Sequence, residues 1–188
     1  MRKEEIDITK RELENKKKNT FKIDDDELNK AAGYAIIEGK RWSEAADILY
    51  VENRRLTSQI CTNALFSIEI YLKSILFNMG INVTKEKFGH DIYSMYNELE
   101  ETLKNEIKKD VTVDCEIYNF FKEVIKFKTF EEELQYIAND FKYLRYEYEK
   151  FLNGISIFTL TDFIMNVKNN IEKISFRYNT EKNRWNRD

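Results

Sequence analysis

The sequence of 188 residues has no proline, five glycines, one histidine and two cysteines. A β-sandwich or β-barrel needs turn residues every 8 to 12 residues, roughly, and this chain lacks them. It also lacks a glycine-rich phosphate loop, which excludes a Rossmann or P-loop domain. Because 42% of the residues are apolar and 14% are aromatic, a sizeable core is available. These features predict one all-α domain.

An excess of charge of one sign is also missing, since 31 basic and 34 acidic residues give a net charge of -3. The chain as a whole is therefore not a general binder of polyanions. Its amino terminus lacks the hydrophobic core of a signal peptide, and its uncharged runs are well short of the roughly 20 residues that span a bilayer. Cys61 and Cys115 lie in apolar segments, which favours buried free thiols over a disulfide or a zinc site. We expect a cytoplasmic protein without membrane contact.

The chain ends differ from its middle in composition. Residues 1–22 are dominated by charge and predict an arm or a frayed helix, and residues 177–188 predict a polar, locally basic tail. Residues 23–176 carry the apolar periodicity of a helical domain between these flexible ends. The basic residues of both ends are interspersed with acidic ones, which favours solvated tails over nucleic-acid arms.

Apolar residues at steps of three and four predict a series of amphipathic helices. The clearest runs from Thr57 to Met79 and ends at Gly80, where a left-handed residue is wanted. The capping box formed by Thr129 and Glu132 begins another. The remaining helices are predicted from Asp24–Asp26 to Gly39, from a cap at Ser43 onward, from His90–Asp91 through Ile107, over Ile117–Ile125, from the capping box to about Glu149, and over Leu160–Ser175.

His90 is the sole imidazole, so any Ser-His-Asp or Cys-His arrangement has to use it. No Gly-x-Ser-x-Gly elbow accompanies it. A metal site of the helical-bundle kind needs Glu-x-x-His pairs on facing helices, and none is present. We therefore expect no metal and no cofactor. His90–Asp91 has a second interpretation, in which it merely caps the following helix.

Two further polar groups allow alternative interpretations. Glu69 and Lys73 have the i, i+4 spacing of an exposed helix ion pair. Their surroundings are largely apolar, which gives a second interpretation, in which Glu69 is drawn inward to a partner. Arg145 follows a long stretch without arginine and neighbours phenols and carboxylates. Such a guanidinium can hold a phosphate, or it can belong to a structural ion pair in a buried polar network.

These motifs resemble the HEPN superfamily (higher eukaryotes and prokaryotes nucleotide-binding), over roughly residues 30 to 175. The resemblance rests on their order and spacing. The matching segments are the Ala-x4-Glu-x3-Lys-x-x-Leu helix of Ala64 to Gly80, then Gly89-His90-Asp91-Ile92 with Tyr96 and Leu99, and then Phe141-x3-Arg145-Tyr146-x-Tyr148-Glu149. The resemblance implies an all-α up-and-down bundle of four or five main helices, often dimerised. Many members are metal-independent ribonucleases of toxin–antitoxin, phage-defence and CRISPR-linked systems, whereas others bind nucleotides or proteins without catalysis.

Catalytic members carry Arg-x(4–6)-His, and this linear motif is absent here. No histidine follows Arg145, and no arginine lies within six residues before His90. Cleavage would require Arg145 and His90 to converge from different helices, or Tyr146 or Tyr148 to substitute. A phenol with an ordinary pKa near ~10 is a poor base at neutral pH.

The resemblance thus implies a protein that acts on or binds RNA or a nucleotide, as a homodimer, with a cognate antitoxin or defence protein as a further partner. Arg145 would contact the phosphate, and His90 would transfer a proton or donate a hydrogen bond, with Tyr148 beside them. The groups expected to orient them or to bind the ligand are Glu69, Lys73, Asp91, Tyr146 and Glu149. The alternative is a non-catalytic helical module for binding or dimerisation, in which the same polar cluster is structural.

Overall fold

The computed structural model describes residues 25–83, 87–113, 117–118, 124–141 and 160–185, and it is an all-α helical bundle, which confirms the predicted fold class. Beside the helices, two strands of two residues each pair antiparallel, with Ile117 opposite Ile125. The helices of these ranges are α1 (Asp25–Glu52), α2 (Thr57–Asn78), α3 (Ile92–Asn97), α4 (Glu101–Lys108), α5 (Phe130–Phe141) and α6 (Thr161–Trp185), and the strands are β1 (Ile117–Tyr118) and β2 (Val124–Ile125).

The first two helices form an antiparallel hairpin. The ring of Trp42 stacks on that of Phe66, with centroids 5.1 Å apart. Earlier on α1, the carbonyl of Ala32 accepts a hydrogen bond of 3.0 Å from the hydroxyl of Ser74, which is later on α2. Contacts in this reversed order place α1 and α2 side by side in opposite directions.

Helix α6 runs parallel to α2 and antiparallel to α1. The sulfur of Cys61 lies 3.4 Å from the hydroxyl of Thr161, and the hydroxyl of Tyr71 donates to Glu172 over 3.0 Å, so the two helices advance together. The hydroxyl of Tyr50, near the end of α1, donates to Asp162 at the start of α6. Helix α2 is therefore packed between its neighbours at the centre of the core.

Helix α2 is the one described helix that is long and apolar enough to cross a membrane. Its best window of 18 residues has a mean hydropathy of 1.4, but 67% of that window is buried inside the bundle. Core helices of soluble proteins pass the same test, and the packing of α2 is of that kind. Its predicted end is confirmed, because Gly80 has φ +78° and its amide donates to the carbonyl of Phe77 over 2.9 Å.

The predicted break near Gly39 is wrong. Helix α1 continues without interruption from Asp25 to Glu52. A glycine inside a helix costs only about 1 kcal/mol relative to alanine, which packing can offset. Gly39 lies directly against the ring of Tyr71, and Ser43 uses its hydroxyl for a contact with Glu172 instead of capping a helix.

The helix predicted from His90 through Ile107 is two helices. The chain leaves the helical conformation at Glu100, which has φ -64° and ψ 151°, between α3 and α4. The apolar stripe is nevertheless buried throughout, because both pieces turn it toward the core. Its members are Ile92, Met95, Leu99, Leu103 and Ile107.

The helix predicted over Ile117–Ile125 is also wrong for the described residues, which form β1 and β2. Spacing alone predicts a helix, whereas β-branched residues favour extended backbone.

The capping box is confirmed, since the amide of Glu132 donates to the hydroxyl of Thr129 over 3.2 Å. The predicted end of this helix near Glu149 lies outside the described residues. Helix α6 extends past Ser175 to Trp185, through most of the segment assigned to a polar tail.

Cys61 is a free, fully buried cysteine, as expected for one of the two thiols, whereas Cys115 lies outside the described residues. Burial raises the pKa of the Cys61 thiol to about 11, although the hydrogen bond with Thr161 opposes the shift. The thiolate is the reactive form, so the folded protein keeps this thiol inert.

We expect a Cys115→Ser variant to react with a thiol-specific reagent at least ~100-fold more slowly when folded than in denaturant, because reaction has to wait for opening of the bundle. Absorbance of the released chromophore measures both rates. Rapid labelling of the native Cys115→Ser protein would contradict a sealed α2–α6 contact.

Candidate functional site

A polar group stands in the apolar centre of α2. The side chain of Glu69 is 4% exposed, although the helix around it is largely apolar. A buried carboxylate needs partners that compensate for its lost hydration. One of them is Lys73, a turn later on the same helix, whose ammonium lies 2.5 Å from Glu69 Oε1. Glu69 thus combines the i, i+4 pair with the inward position, the two interpretations that the sequence left open.

The second partner is His90, in the turn before α3. Its Nδ1 lies 2.9 Å from Oε2 and 3.0 Å from Oε1 of Glu69, while the side chain is 43% exposed. An ionised carboxylate only accepts hydrogen bonds, so Nδ1 carries the hydrogen of this contact. In the neutral ring, the basic lone pair is consequently on Nε2. The contact with Glu69 therefore favours the tautomer that has its hydrogen on Nδ1, while part of the ring meets solvent.

Asp91 fixes the backbone beside this histidine. Its Oδ1 accepts a hydrogen bond of 3.0 Å from the amide of Ser94, which makes it the N-cap of α3. Its own amide donates to the carbonyl of Phe88 over 2.9 Å, and Gly89 has φ +56° in the same turn. The capping interpretation of Asp91 is therefore the observed one, and the cap orients the turn that presents His90.

The structure thus brings together three of the residues selected from the sequence, Glu69, Lys73 and His90, with Asp91 as the cap beside them. The other four are Arg145, Tyr146, Tyr148 and Glu149, which all lie outside the described residues. The approach of Arg145 to His90 accordingly stays a prediction.

A second polar cluster was missed by the sequence analysis. The side chain of Lys168 on α6 has no exposed surface, and its ammonium lies 2.7 Å from Asp47 Oδ1 and 2.8 Å from the hydroxyl of Ser43. Glu172 Oε2 lies 3.5 Å from the same ammonium and accepts a hydrogen bond of 2.8 Å from Ser43. Tyr71 donates to the other oxygen of Glu172. We call these five residues the Lys168 cluster.

The Lys168 cluster joins α1, α2 and α6 at one level of the bundle. Burial, followed by the charge of Glu172, raises the pKa of Tyr71 well above its usual range, so this phenol stays protonated as a hydrogen-bond donor. The sequence held one signal for the cluster: Lys168 occupies a core register position between Ile164 and Ile171. A lysine that is enclosed and paired in this way indicates a structural role.

A surface cleft of about 560 Å³ lies between the end of α4 and the exposed side of α6. Asn170 donates to the carbonyls of Ile107 and Lys109 over 2.9 and 2.8 Å, which satisfies the end of α4. Arg177 is 2.8 Å from Glu106 across the cleft. Within the described part of the chain, no three histidine, cysteine, aspartate or glutamate side chains cluster as metal ligands would.

Comparison of this chain with protein-family models, with curated proteins and with solved structures gives no match.

Proposed function

We propose that this chain is a HEPN-like protein of a prokaryotic defence or toxin–antitoxin system that binds RNA or a nucleotide through a phosphate group, at a site formed by His90 and Arg145. The proposal rests on one contact, in which the buried carboxylate of Glu69 binds the half-exposed imidazole of His90. The all-α bundle is the fold that the family resemblance implies. We further propose that the protein is a cytoplasmic homodimer with a cognate antitoxin or defence protein as its partner.

The geometry of Glu69 and His90 suits work on a phosphate ligand. Because Nδ1–H donates its hydrogen bond to Glu69, Nε2 is the nitrogen that would accept a proton from the ligand, or donate a hydrogen bond to it once protonated. Arg145 would supply the fixed positive charge, since a guanidinium forms two parallel hydrogen bonds to a phosphate. In this proposal Glu69 is a positioning residue, and Lys73 neutralises its buried charge.

The same groups suffice for metal-independent cleavage of RNA. His90 would take the proton of a ribose 2′-hydroxyl, whose oxygen then attacks the adjacent phosphorus. The bond from phosphorus to the 5′-oxygen breaks, the leaving oxygen receives a proton from water, and His90 returns its proton to the solvent, so the products are a 2′,3′-cyclic phosphate and a 5′-hydroxyl. Arg145 would stabilise the charge that develops on the phosphate oxygens.

We expect the protein to bind a short single-stranded RNA in buffer with a chelator, and we expect Arg145→Ala and His90→Ala to raise the Kd about tenfold each, the loss of one charged or hydrogen-bonded contact. Fluorescence anisotropy of labelled RNA measures the Kd. Arg55→Ala is the matched control, because Arg55 is exposed in the turn between α1 and α2. Equal RNA affinities of the wild type and Arg145→Ala would contradict the proposal that Arg145 forms part of the binding site.

The variant His90→Gln separates binding from proton transfer. Glutamine keeps a hydrogen-bond donor and acceptor but cannot carry the proton. If wild type cleaves the RNA, His90→Gln should bind nearly as well and lose cleavage, and the product should bear a cyclic phosphate. If the wild type leaves the RNA intact, the site binds RNA without cleaving it.

A second candidate function is a non-catalytic helical module for binding or dimerisation. The observation that favours it is the ion pair between Lys73 and Glu69, which already compensates the buried carboxylate without a ligand. In this case the cluster fixes the position of the turn before α3. If the wild type, His90→Ala and Arg145→Ala have equal affinities for RNA, the result supports the non-catalytic module.

A further inference from the structure

Large apolar side chains are exposed along one side of α1. Tyr34 is 75% exposed, Ile37 56%, Ile48 55% and Val51 81%. Single exposed apolar residues are ordinary on protein surfaces, but a row of them along one helix marks an interaction surface.

These four residues belong to one continuous stripe. With Arg41 and Glu44 between them, the steps along the helix are three, four, three, four and three residues, which is the a and d pattern of a coiled-coil seam. We call this stripe the seam, and it extends over about 25 Å of helix. Its members are Tyr34, Ile37, Arg41, Glu44, Ile48 and Val51. The buried face of α1 lies on the other side of the helix and consists of Leu28, Ala32, Ile36, Gly39, Ser43 and Ala46.

The seam is symmetric about its midpoint between residues 42 and 43. Tyr34 and Val51 are equally far from that point, and so are Ile37 and Ile48. Arg41 and Glu44 are the innermost pair, with opposite charges. A seam of this kind is complementary to itself when it meets a second copy in the reverse direction, as a two-fold axis requires.

The charges select that direction. In an antiparallel pair, Arg41 lies opposite Glu44 of the second copy, while the apolar residues meet at both ends. A parallel pair would bring arginine to arginine and glutamate to glutamate, which is unfavourable. Each of these side chains has a neighbour on its own helix: Arg41 is 3.0 Å from Glu38, and Glu44 is 3.6 Å from Lys40. Such exposed pairs are worth only a few tenths of a kcal/mol, so they yield readily to a partner across the seam.

We infer that a second copy of this chain docks on the seam, and that the two α1 helices form an antiparallel pair with two reciprocal contacts between Arg41 and Glu44. The inference adds a surface and an orientation to the proposed dimer. It does not depend on RNA binding, so the two proposals fail separately.

The oligomeric state tests the seam first. We expect the mass measured by analytical ultracentrifugation to rise from 22.7 kDa toward twice that value as the concentration increases. Ile37→Glu and Ile48→Glu should each weaken the dimer at least ~30-fold without unfolding the monomer, because both residues are exposed in it. Asn169→Glu adds the same charge at an exposed position of α6 and should leave the dimer unchanged. A wild type that stays monomeric at every concentration overturns the inference.

Charge exchange tests the register. Arg41→Glu and Glu44→Arg should each weaken the dimer about tenfold or more, because like charges then meet, and the double variant R41E/E44R should restore it. Circular dichroism checks that α1 stays helical when its own neighbour pairs change. A double variant that is as weak as the single variants contradicts the antiparallel register.

Disulfide trapping tests the direction in the Cys115→Ser background, where Cys61 is buried. An equal mixture of Ile37→Cys and Ile48→Cys chains should form a covalent heterodimer on oxidation, whereas each chain alone should not. The residues 37 of two antiparallel copies lie about 16 Å apart along the axis, too far for a bond. Rapid self-linking of either variant alone would establish a parallel pair and overturn the inference.

Discussion

Replacing Lys168 by methionine should lower the free energy of unfolding by about 3 kcal/mol. Methionine keeps most of the volume, but Asp47 and Glu172 lose the cation between them, and breaking a buried ion pair costs roughly 3–5 kcal/mol. The low end applies because the side chain of Asp47 is 49% exposed and regains water. Urea denaturation monitored by circular dichroism measures the change.

The matched control is Lys173→Met on the exposed side of the same helix. It should change stability by less than about 0.5 kcal/mol, since surface substitutions away from buried networks have small effects. A Lys168→Met protein that is as stable as this control would show that the Lys168 cluster does not hold the three long helices together.

The second large effect on stability is expected from replacing two glycines of α1 by alanine. Alanine normally stabilises a helix relative to glycine by about 1 kcal/mol. At Gly39, however, an added Cβ would lie 2.8 Å from Cδ1 and Cε1 of Tyr71. That ring is fully buried and its hydroxyl is held by Glu172, so it cannot move aside cheaply. Gly39→Ala should therefore destabilise the protein by about 1–2 kcal/mol.

Gly33 is the internal comparison, because an added Cβ there meets nothing within 4 Å. Gly33→Ala should stabilise the protein by up to about 1 kcal/mol, which makes the two substitutions opposite in sign on one helix. Thermal unfolding of both variants beside wild type checks the prediction. Two stabilising substitutions would contradict the close approach of α1 and α2 at Tyr71.

Local patterns predicted much of the fold. The stripe of α2, the left-handed Gly80 and the capping box before α5 are each determined by neighbouring residues, so sequence reasoning could identify them. The predicted start of α1 at Asp24–Asp26 agrees with the structure, whereas its predicted end at Gly39 is wrong for the opposite reason. Whether a helix continues through Gly39 depends on the Tyr71 ring that packs against it, and that contact is made across more than thirty residues of chain.

In the candidate site, too, the sequence predicts local features better than contacts between distant segments. A charge in an apolar stretch is conspicuous, so the sequence indicates an inward position for Glu69, and its contact with His90 fits that alternative. The register of Lys168 indicates an inward position but not its partners, because these come from the way α6 lies against α1. Pairings of this kind depend on helix packing, which apolar spacing in one segment does not specify.

If Glu69 orients His90 for a phosphate ligand, as we propose, the single histidine reports that orientation directly. In protein labelled with ¹⁵N at histidine, one imidazole contributes to a long-range ¹H–¹⁵N correlation spectrum. We expect the neutral ring to carry its hydrogen on Nδ1, and we expect short single-stranded RNA to shift the Nε2 resonance in wild type, with about tenfold more RNA needed for the same shift in Arg145→Ala. A hydrogen on Nε2, or a ring signal that stays in place with RNA in excess, would contradict the account.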